Sequence, residues 1–312
     1  MKRWQANLVL LLAGATWGMG FVAQATAMDS IGPFLFIALR FVVATLVVLP
    51  FVQLEARRQR QSGAAPLSMS EMLGFGLIGI SLFAGMATQQ VGLLSTSVTN
   101  SGFLTGLYVV LTPILGVLLF REFPHRITWV AAILSLIGIY LLSGGNIGAL
   151  VIGDVLTLGS AVCWALQVVM IARFVGQSGR PLALSAMQFA VTGGLALVVA
   201  LLVEPISWSS IVAAGPQILY AGIFASGFAF TLQVIGQRYT SAPQAAIFLS
   251  SEAPFAALFA FWWLGERVGL IGLAGCALIF VAMLAVELVP LWGASRQARA
   301  ESVRQIAARV ES

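Results

Sequence analysis

Long apolar runs, separated by short polar stretches, dominate the pattern along the chain. Each run is long enough for a helix to cross the hydrocarbon of a bilayer, which takes about 20 residues. The runs lack the apolar–polar alternation of membrane β-strands, so helices are the predicted form. We predict ten membrane-spanning helices, at about residues 6–27, 33–53, 71–92, 97–120, 127–144, 152–172, 181–203, 212–237, 241–264 and 268–289.

Composition agrees with a membrane protein and excludes other classes. Of the 312 residues, 60% are hydrophobic and only 9% are charged, whereas soluble domains carry about 25% charged residues. A soluble enzyme is therefore excluded, and the apolar content excludes a disordered chain. Cys163 and Cys276 lie inside apolar runs and His125 lies in a loop, so neither a disulfide framework nor a metal site is expected. No cofactor is predicted.

Basic residues indicate the orientation. Of the 16 Lys and Arg residues, all except Arg40 and Arg267 fall on one side of the membrane when ten spans are drawn. Because basic loops stay in the cytoplasm, we expect both termini there and the protein in the cell inner (plasma) membrane. The net charge of +5 then reflects topology, and no nucleic-acid partner is expected. Residues 293–312 are predicted to form a basic cytoplasmic tail, either solvated or lying as an amphipathic helix on the lipid surface.

The two halves of the chain are weakly similar. A shift of 144 residues aligns Gln89 with Gln233, and a shift of 147 aligns Trp17 with Trp164. A unit of five helices that begins in the cytoplasm ends outside, so its copy is inserted upside down. Inverted repeats of this kind occur in many secondary transporters, with the substrate site near the midplane. We predict an all-α polytopic membrane protein with ten transmembrane helices in two inverted five-helix repeats, at residues 1–145 and 146–292.

Several short motifs resemble those of the drug/metabolite transporter superfamily, in its ten-helix branch with two EamA-type domains. TWGMGFV is similar to the opening helix of that domain, LRF to its second helix, and the stretch from SEAP to LGER to its most recognisable part. These motifs, with two further stretches, lie at residues 16–22, 39–41, 112–122, 153–165 and 251–267. The second repeat ends in Leu-Gly-Glu-Arg and the first only in Phe-Arg-Glu, so a role is not transferred to Arg121.

The resemblance implies ten helices, inverted halves and alternating access for small solutes. Members of this branch export amino acids and other metabolites, and aromatic amino-acid exporters of the YddG type are the nearest type it suggests. The chain has no nucleotide-binding Gly-x-x-x-x-Gly-Lys-Ser/Thr motif, so transport is expected to be passive or ion-coupled. The alternatives are an exporter of drugs or other metabolites, an intramembrane enzyme, which is disfavoured because no set of catalytic groups is apparent, and a pore or receptor. A channel is disfavoured because no filter-like run appears. No sequence feature indicates an oligomeric state.

Polar and aromatic residues at mid-membrane depth are the candidate substrate-binding residues. Glu252, a carboxylate at the centre of the ninth span, is either a contact for a substrate amine, a proton-linked switch, or a structural group. Tyr108 takes the equivalent place in the first repeat, and Trp17 and Trp164 lie deeper than interfacial tryptophans do. The full predicted set is Trp17, Gln89, Tyr108, Trp164, Gln167, Gln233, Ser251 and Glu252.

Three further predictions concern helix geometry and charge. Pro113 and Pro254 are predicted to kink the fourth and ninth spans and to serve as hinges. Gly14 and Gly18 have the spacing that permits close contact with another helix of the same subunit. Arg40 is predicted to extend outward and pair with Asp29 or a lipid headgroup, in preference to binding a substrate carboxylate.

Overall fold

The computed structural model of the chain describes residues 1–96, 98–144, 151–264 and 267–310. Side chains are not described for residues 21, 22, 25, 98–100, 260, 263, 264 and 291–310. Gly265 and Glu266 of the LGER motif therefore lie outside the described residues, as do the side chains of the predicted basic tail.

The described part of the chain forms ten long helices, which we label α1 to α10. Three of them, α4, α8 and α9, are divided or contain an irregular turn, and a short helix at Trp208–Ala213 precedes α8. No strand occurs in the residues that the structure describes. The bounds are α1 Arg3–Ala27, α2 Pro33–Gln61, α3 Met69–Gly92, α4 Val98–Gly106 and Tyr108–Phe120, α5 Arg126–Leu142, α6 Ile152–Ser178, α7 Pro181–Val203, α8 Gly215–Tyr220, Ala221–Phe228 and Ala229–Gln237, α9 Ala242–Leu249 and Glu252–Leu264, and α10 Leu270–Val310.

The helices have the length and surface of membrane spans. Within the described residues, seven are long and apolar enough to cross a bilayer, and α5 is a shorter apolar helix. Large apolar side chains are exposed on the outside of the bundle, where Leu46 is 63% and Leu202 is 78% accessible. In water such a surface would be costly, but it suits contact with lipid. The prediction of an all-α polytopic membrane protein with ten helices is confirmed.

Local sequence explains where several helices begin and end. Pro33 and Pro181 occupy the first turns of α2 and α7, where a missing backbone N–H costs no hydrogen bond. Ser68 and Glu71 form a reciprocal capping box at the start of α3. Gly179 ends α6 with a φ of 63°, a left-handed conformation that glycine adopts without strain.

Helix pairing shows that the two five-helix repeats are inverted. α1 packs against α8 and α9, and its counterpart α6 packs against α3 and α4. The remaining equivalents pack on each other, α2 on α7 and α5 on α10. α2 and α7 are antiparallel, because hydrogen bonds join the end of each to the beginning of the other. Each half therefore completes its core with helices of the other half, which places the centre of the fold at their interface.

Candidate functional site

A cavity lies at the interface of the two halves. It is narrow, because the space open to the centre of a water molecule is about 50 Å³, less than the about 300–1,000 Å³ that small-molecule sites occupy. Helices of both repeats contribute to its wall. Its lining residues are Trp17, Gly20, Gln24, Arg40, Met86, Gln89, Thr105, Tyr108, Trp164, Val168, Ala225, Phe230, Gln233, Leu249 and Glu252.

Six of the eight predicted binding residues lie on this wall. The other two, Gln167 and Ser251, are fully buried beside it. The Gln167 amide donates to Gln233 Oε1 at 3.5 Å and accepts from Gln233 Nε2 at 3.0 Å. Gln233 on the wall and Gln167 behind it thus form one amide pair. The six on the wall are Trp17, Gln89, Tyr108, Trp164, Gln233 and Glu252.

Three aromatic rings form an apolar part of the wall. Phe230 lies against both tryptophans, with centroids 4.6 Å from Trp17 and 5.8 Å from Trp164, and its ring is nearly parallel to that of Trp164, at 11°. The Trp17 indole donates to the Ala225 carbonyl at 2.8 Å. The Trp164 indole N–H and the Tyr108 hydroxyl are buried and have no partner among the described protein atoms. The wall therefore offers stacking surface together with two free polar groups.

The prediction that Arg40 extends outward is wrong. Its side chain is buried, 1% exposed, and lines the cavity. Arg40 Nε donates to Ser226 Oγ at 2.9 Å, and Nη1 donates to Gln24 Oε1 at 3.1 Å. Position 40 lies only seven residues into α2, which suggested a route to the interface, but polar groups of α1 and α8 bind the guanidinium inside the bundle. The sequence did not show that these three helices converge there.

A π-helical turn in α8, Ala221–Phe228, shapes this side of the cavity. Such turns are rare and occur frequently at functional sites. The turn presents the Ala225 carbonyl to Trp17 and the Ser226 hydroxyl to Arg40. Gly222 and Gly227 lie in the same turn and face α2, where a Cβ at Gly222 would approach the Arg40 carbonyl oxygen to 3.0 Å. Sequence reasoning did not identify this turn, although two glycines and a serine in one apolar segment were visible.

Glu252 lies directly after an interruption of α9. The helix breaks at Ser250 and Ser251 and resumes at Glu252. Pro254 accounts for the position of the break, because a proline cannot donate to the carbonyl four residues earlier, which is that of Ser250. In α4 the interruption is at Leu107, six residues before Pro113, and Pro113 itself lies inside a regular helix. A hinge role for either proline stays a prediction.

Two glycines of α1 bring it close to the break in α9. A Cβ at Gly14 would collide with the Ser251 hydroxyl, and one at Gly18 would lie 2.6 Å from the Ala256 nitrogen and 2.9 Å from the Glu252 carbonyl oxygen. The contact is therefore between two backbones. It joins the first repeat to the second inside one chain, which is where the spacing of the glycines placed it.

A polar network at the start of α1 was missed by the sequence analysis. Glu287 of α10 accepts from Asn7 Nδ2 at 2.7 Å and from Gln244 Nε2 at 2.8 Å, and its carboxylate is 3.8 Å from Arg3 Nε. Arg3 also donates to Gln244. Glu287 lies near the end of an apolar run, so it resembled an interfacial residue. The network ties α1 to α9 and α10 at one end of the bundle, and we call it the Glu287 network.

The sequence pattern of the EamA-like transporter family matches this chain twice, over residues 4–144 and again over residues 151–288. The chain belongs to the EamA-like transporter family. This family is part of the drug/metabolite transporter superfamily, so the protein is a transporter embedded in a membrane by several spans.

Relatives with curated descriptions are also transporters. An "Uncharacterized transporter" of Archaeoglobus fulgidus is 32% identical over 292 residues, which are 92% of this chain and 87% of the relative. The "Uncharacterized transporter YwfM" of Bacillus subtilis is 26% identical over 91% of this chain and 94% of its own. A solved crystal structure superposes with a TM-score of 0.75 at 20% identity, covering 93% of this chain and 98% of that one, and supports the fold.

Proposed function

We propose that this EamA-family protein exports amino acids, with aromatic and hydrophobic ones preferred, as a secondary transporter. The observation that carries the proposal is the cavity between the inverted repeats, which combines an aromatic wall with the Glu252 carboxylate. An indole or phenyl side chain can stack on Phe230 and the two tryptophans. A carboxylate in the same cavity suits the ammonium group that every amino acid carries.

Glu252 has two roles within this proposal. As an ammonium contact it would bind substrate and leave transport independent of a proton gradient. As a coupling group it would exchange a proton for substrate, because a carboxylate held at membrane depth is costly to keep charged and unpaired. The response of transport to an imposed pH gradient separates the two roles.

We further propose alternating access, with the halves at residues 1–145 and 146–292 moving against each other around the cavity. The Glu287 network joins the halves on the side where α1 begins, whereas Gly14 and Gly18 contact α9 at the depth of the cavity. With both termini in the cytoplasm of a plasma-membrane protein, this side is the cytoplasmic entrance. The interruptions of α4 and α9 adjoin the cavity and give each repeat a place to bend.

Transport in proteoliposomes tests the function. Purified protein is reconstituted, radiolabelled tryptophan, phenylalanine and threonine are loaded, and efflux is measured with and without a pH gradient. Wild type is compared with Glu252→Gln and with Glu122→Gln, which removes a carboxylate that is 55% exposed and pairs with Arg173 outside the cavity. We expect saturable efflux, faster for tryptophan and phenylalanine than for threonine, that Glu122→Gln leaves unchanged.

The outcomes distinguish the alternatives. Gradient-driven efflux that is lost in Glu252→Gln identifies the coupling group. Efflux that ignores the gradient but has a raised KM in this variant identifies an ammonium contact. Efflux of none of the three amino acids would refute the proposed substrate class, and a panel of drugs and other metabolites would then test the alternative export function. Conversion of a loaded solute into another compound would point to an intramembrane enzyme.

A further inference from the structure

The guanidinium of Arg40 lies at the cavity wall among neutral groups. Its hydrogen-bond acceptors are Ser226 Oγ, Gln24 Oε1 and the Met86 sulfur, the last at 3.9 Å from Nη1. The rings of Phe36 and Phe41 lie 5.7 and 5.3 Å from its central carbon. These contacts orient the side chain, but none of them supplies a negative charge.

Arg40 has no carboxylate partner in the part of the chain that the structure describes. The two ion pairs there join Arg3 to Glu287 and Arg173 to Glu122. The Nη2 nitrogen of Arg40 donates to no described protein atom, so two of its five N–H groups are free. A buried guanidinium without a counter-charge is costly, and a bound anion would offset that cost. Carboxylates and phosphates both match the guanidinium geometry, and a carboxylate is the anionic group of the proposed amino-acid substrates.

The equivalent position in the other repeat shows that the scaffold does not require this charge. Arg40 lies seven residues after Pro33 at the start of α2, and Gln188 lies seven residues after Pro181 at the start of α7. Gln188 is also fully buried, and it accepts a hydrogen bond from Gln167 at 3.2 Å. One repeat thus holds a neutral amide where the other holds a cation, which points to the solute and not to helix packing as the reason for Arg40.

We propose that Arg40 binds the carboxylate of the transported solute, an inference that rests on the proposed function. Gln24 and Ser226 hold the guanidinium in place, and the free Nη2 donates to the carboxylate. Glu252 lies on the wall of the same cavity and takes the ammonium group. The cavity thereby selects solutes that carry both charges, and it disfavours amines and amides of the same side chain.

Matched solutes test this assignment. Efflux of tryptophan is compared with efflux of tryptophanamide, whose carboxylate is replaced by a neutral carboxamide, after subtraction of leakage from protein-free liposomes. The proteins are wild type, Arg40→Lys, Arg40→Gln and Arg173→Gln, the last being a half-exposed arginine outside the cavity. We expect wild type and Arg173→Gln to prefer tryptophan. Arg40→Gln should lower kcat/KM for tryptophan by about tenfold to a hundredfold without lowering kcat/KM for tryptophanamide. The kcat/KM of Arg40→Lys for tryptophan should lie between those of wild type and Arg40→Gln.

Three results would overturn the assignment. If Arg40→Gln lowered kcat/KM for tryptophan and for tryptophanamide equally, Arg40 would be a structural group. Equal efflux of both solutes by wild type would show that the carboxylate is not recognised, although the proposed export function would stand. Efflux of neither solute by wild type, when drugs or other metabolites are carried, would refute the proposed function and this inference together.

Discussion

Glu55 and Glu204 cap each other's helices at opposite ends of the α2–α7 pair. Glu55, near the end of α2, accepts from the backbone N–H groups of Leu182 and Ala183 at 3.1 and 2.9 Å. Glu204, directly after α7, accepts from those of Phe34 and Leu35, both at 2.8 Å. Each carboxylate therefore lies at the positive end of the other repeat's helix. The two caps are equivalent contacts, one from each of the inverted repeats.

We expect Glu55→Gln and Glu204→Gln to destabilise the protein by similar amounts. Each substitution removes a charge from two helix-terminal N–H groups, which is typically worth about 1 kcal/mol. The two sites are about 30 Å apart along the helices, so the double variant should lose the sum of the two effects. Thermal unfolding in detergent measures all three, with Glu122→Gln as the exposed control. A double variant no less stable than either single one would contradict independent caps.

Gly18→Ala is expected to weaken the contact between α1 and α9. The new methyl would lie 2.6 Å from the Ala256 nitrogen, and a backbone atom cannot rotate away as a side chain can. We expect a loss of stability of about 1–3 kcal/mol and slower transport, because the adjoining break in α9 carries Glu252.

Gly76→Ala on α3 is the control for Gly18→Ala. A Cβ at Gly76 meets nothing within 4 Å, so the better helix propensity of alanine should leave the unfolding temperature unchanged or higher. Equal unfolding temperatures for Gly18→Ala and wild type would show that α1 moves aside without cost.

Spacing and composition were sufficient to predict the helices and much of the cavity wall. Trp17 and Trp164 could be identified because repeat symmetry and mid-membrane depth are properties of the sequence. Arg40 was misplaced because its surroundings come from α1, α3 and α8, which no local pattern brings together. The π-helical turn was missed for a related reason, since a shift in backbone hydrogen bonding leaves apolar periodicity almost unchanged. Glu287 was missed because a carboxylate near the end of a span looks the same whether it faces headgroups or a neighbouring helix.

The paired tryptophans are expected to respond differently to loss of the indole N–H. Trp17→Phe leaves the Ala225 carbonyl in the π-helical turn without its donor at 2.8 Å, so stability should fall by about 1–3 kcal/mol. Trp164→Phe removes an N–H that has no partner among the described protein atoms, so the unfolding temperature should change little. If the Trp164 N–H donates to substrate, the KM of Trp164→Phe for that substrate should rise. Equal losses of stability in the two variants would contradict this difference.

The Glu287 network is expected to hold one end of the cavity closed. Glu287→Gln removes the ion pair with Arg3 and places an amide N–H₂ group where Asn7 and Gln244 now donate. Since hydrogen bonds to a charged group are worth about 1.5–3 kcal/mol, the open population should rise about tenfold or more.

Access to the cavity can be measured with a cysteine at Val168, on the cavity wall, in a protein whose Cys163 and Cys276 are alanine. A membrane-impermeant maleimide applied from the side of Arg3 should react about tenfold faster in Glu287→Gln. Glu122→Gln, which breaks only an exposed ion pair of 3.9 Å, should react at the original rate. Equal rates in the two variants would show that contacts other than this network close the cavity.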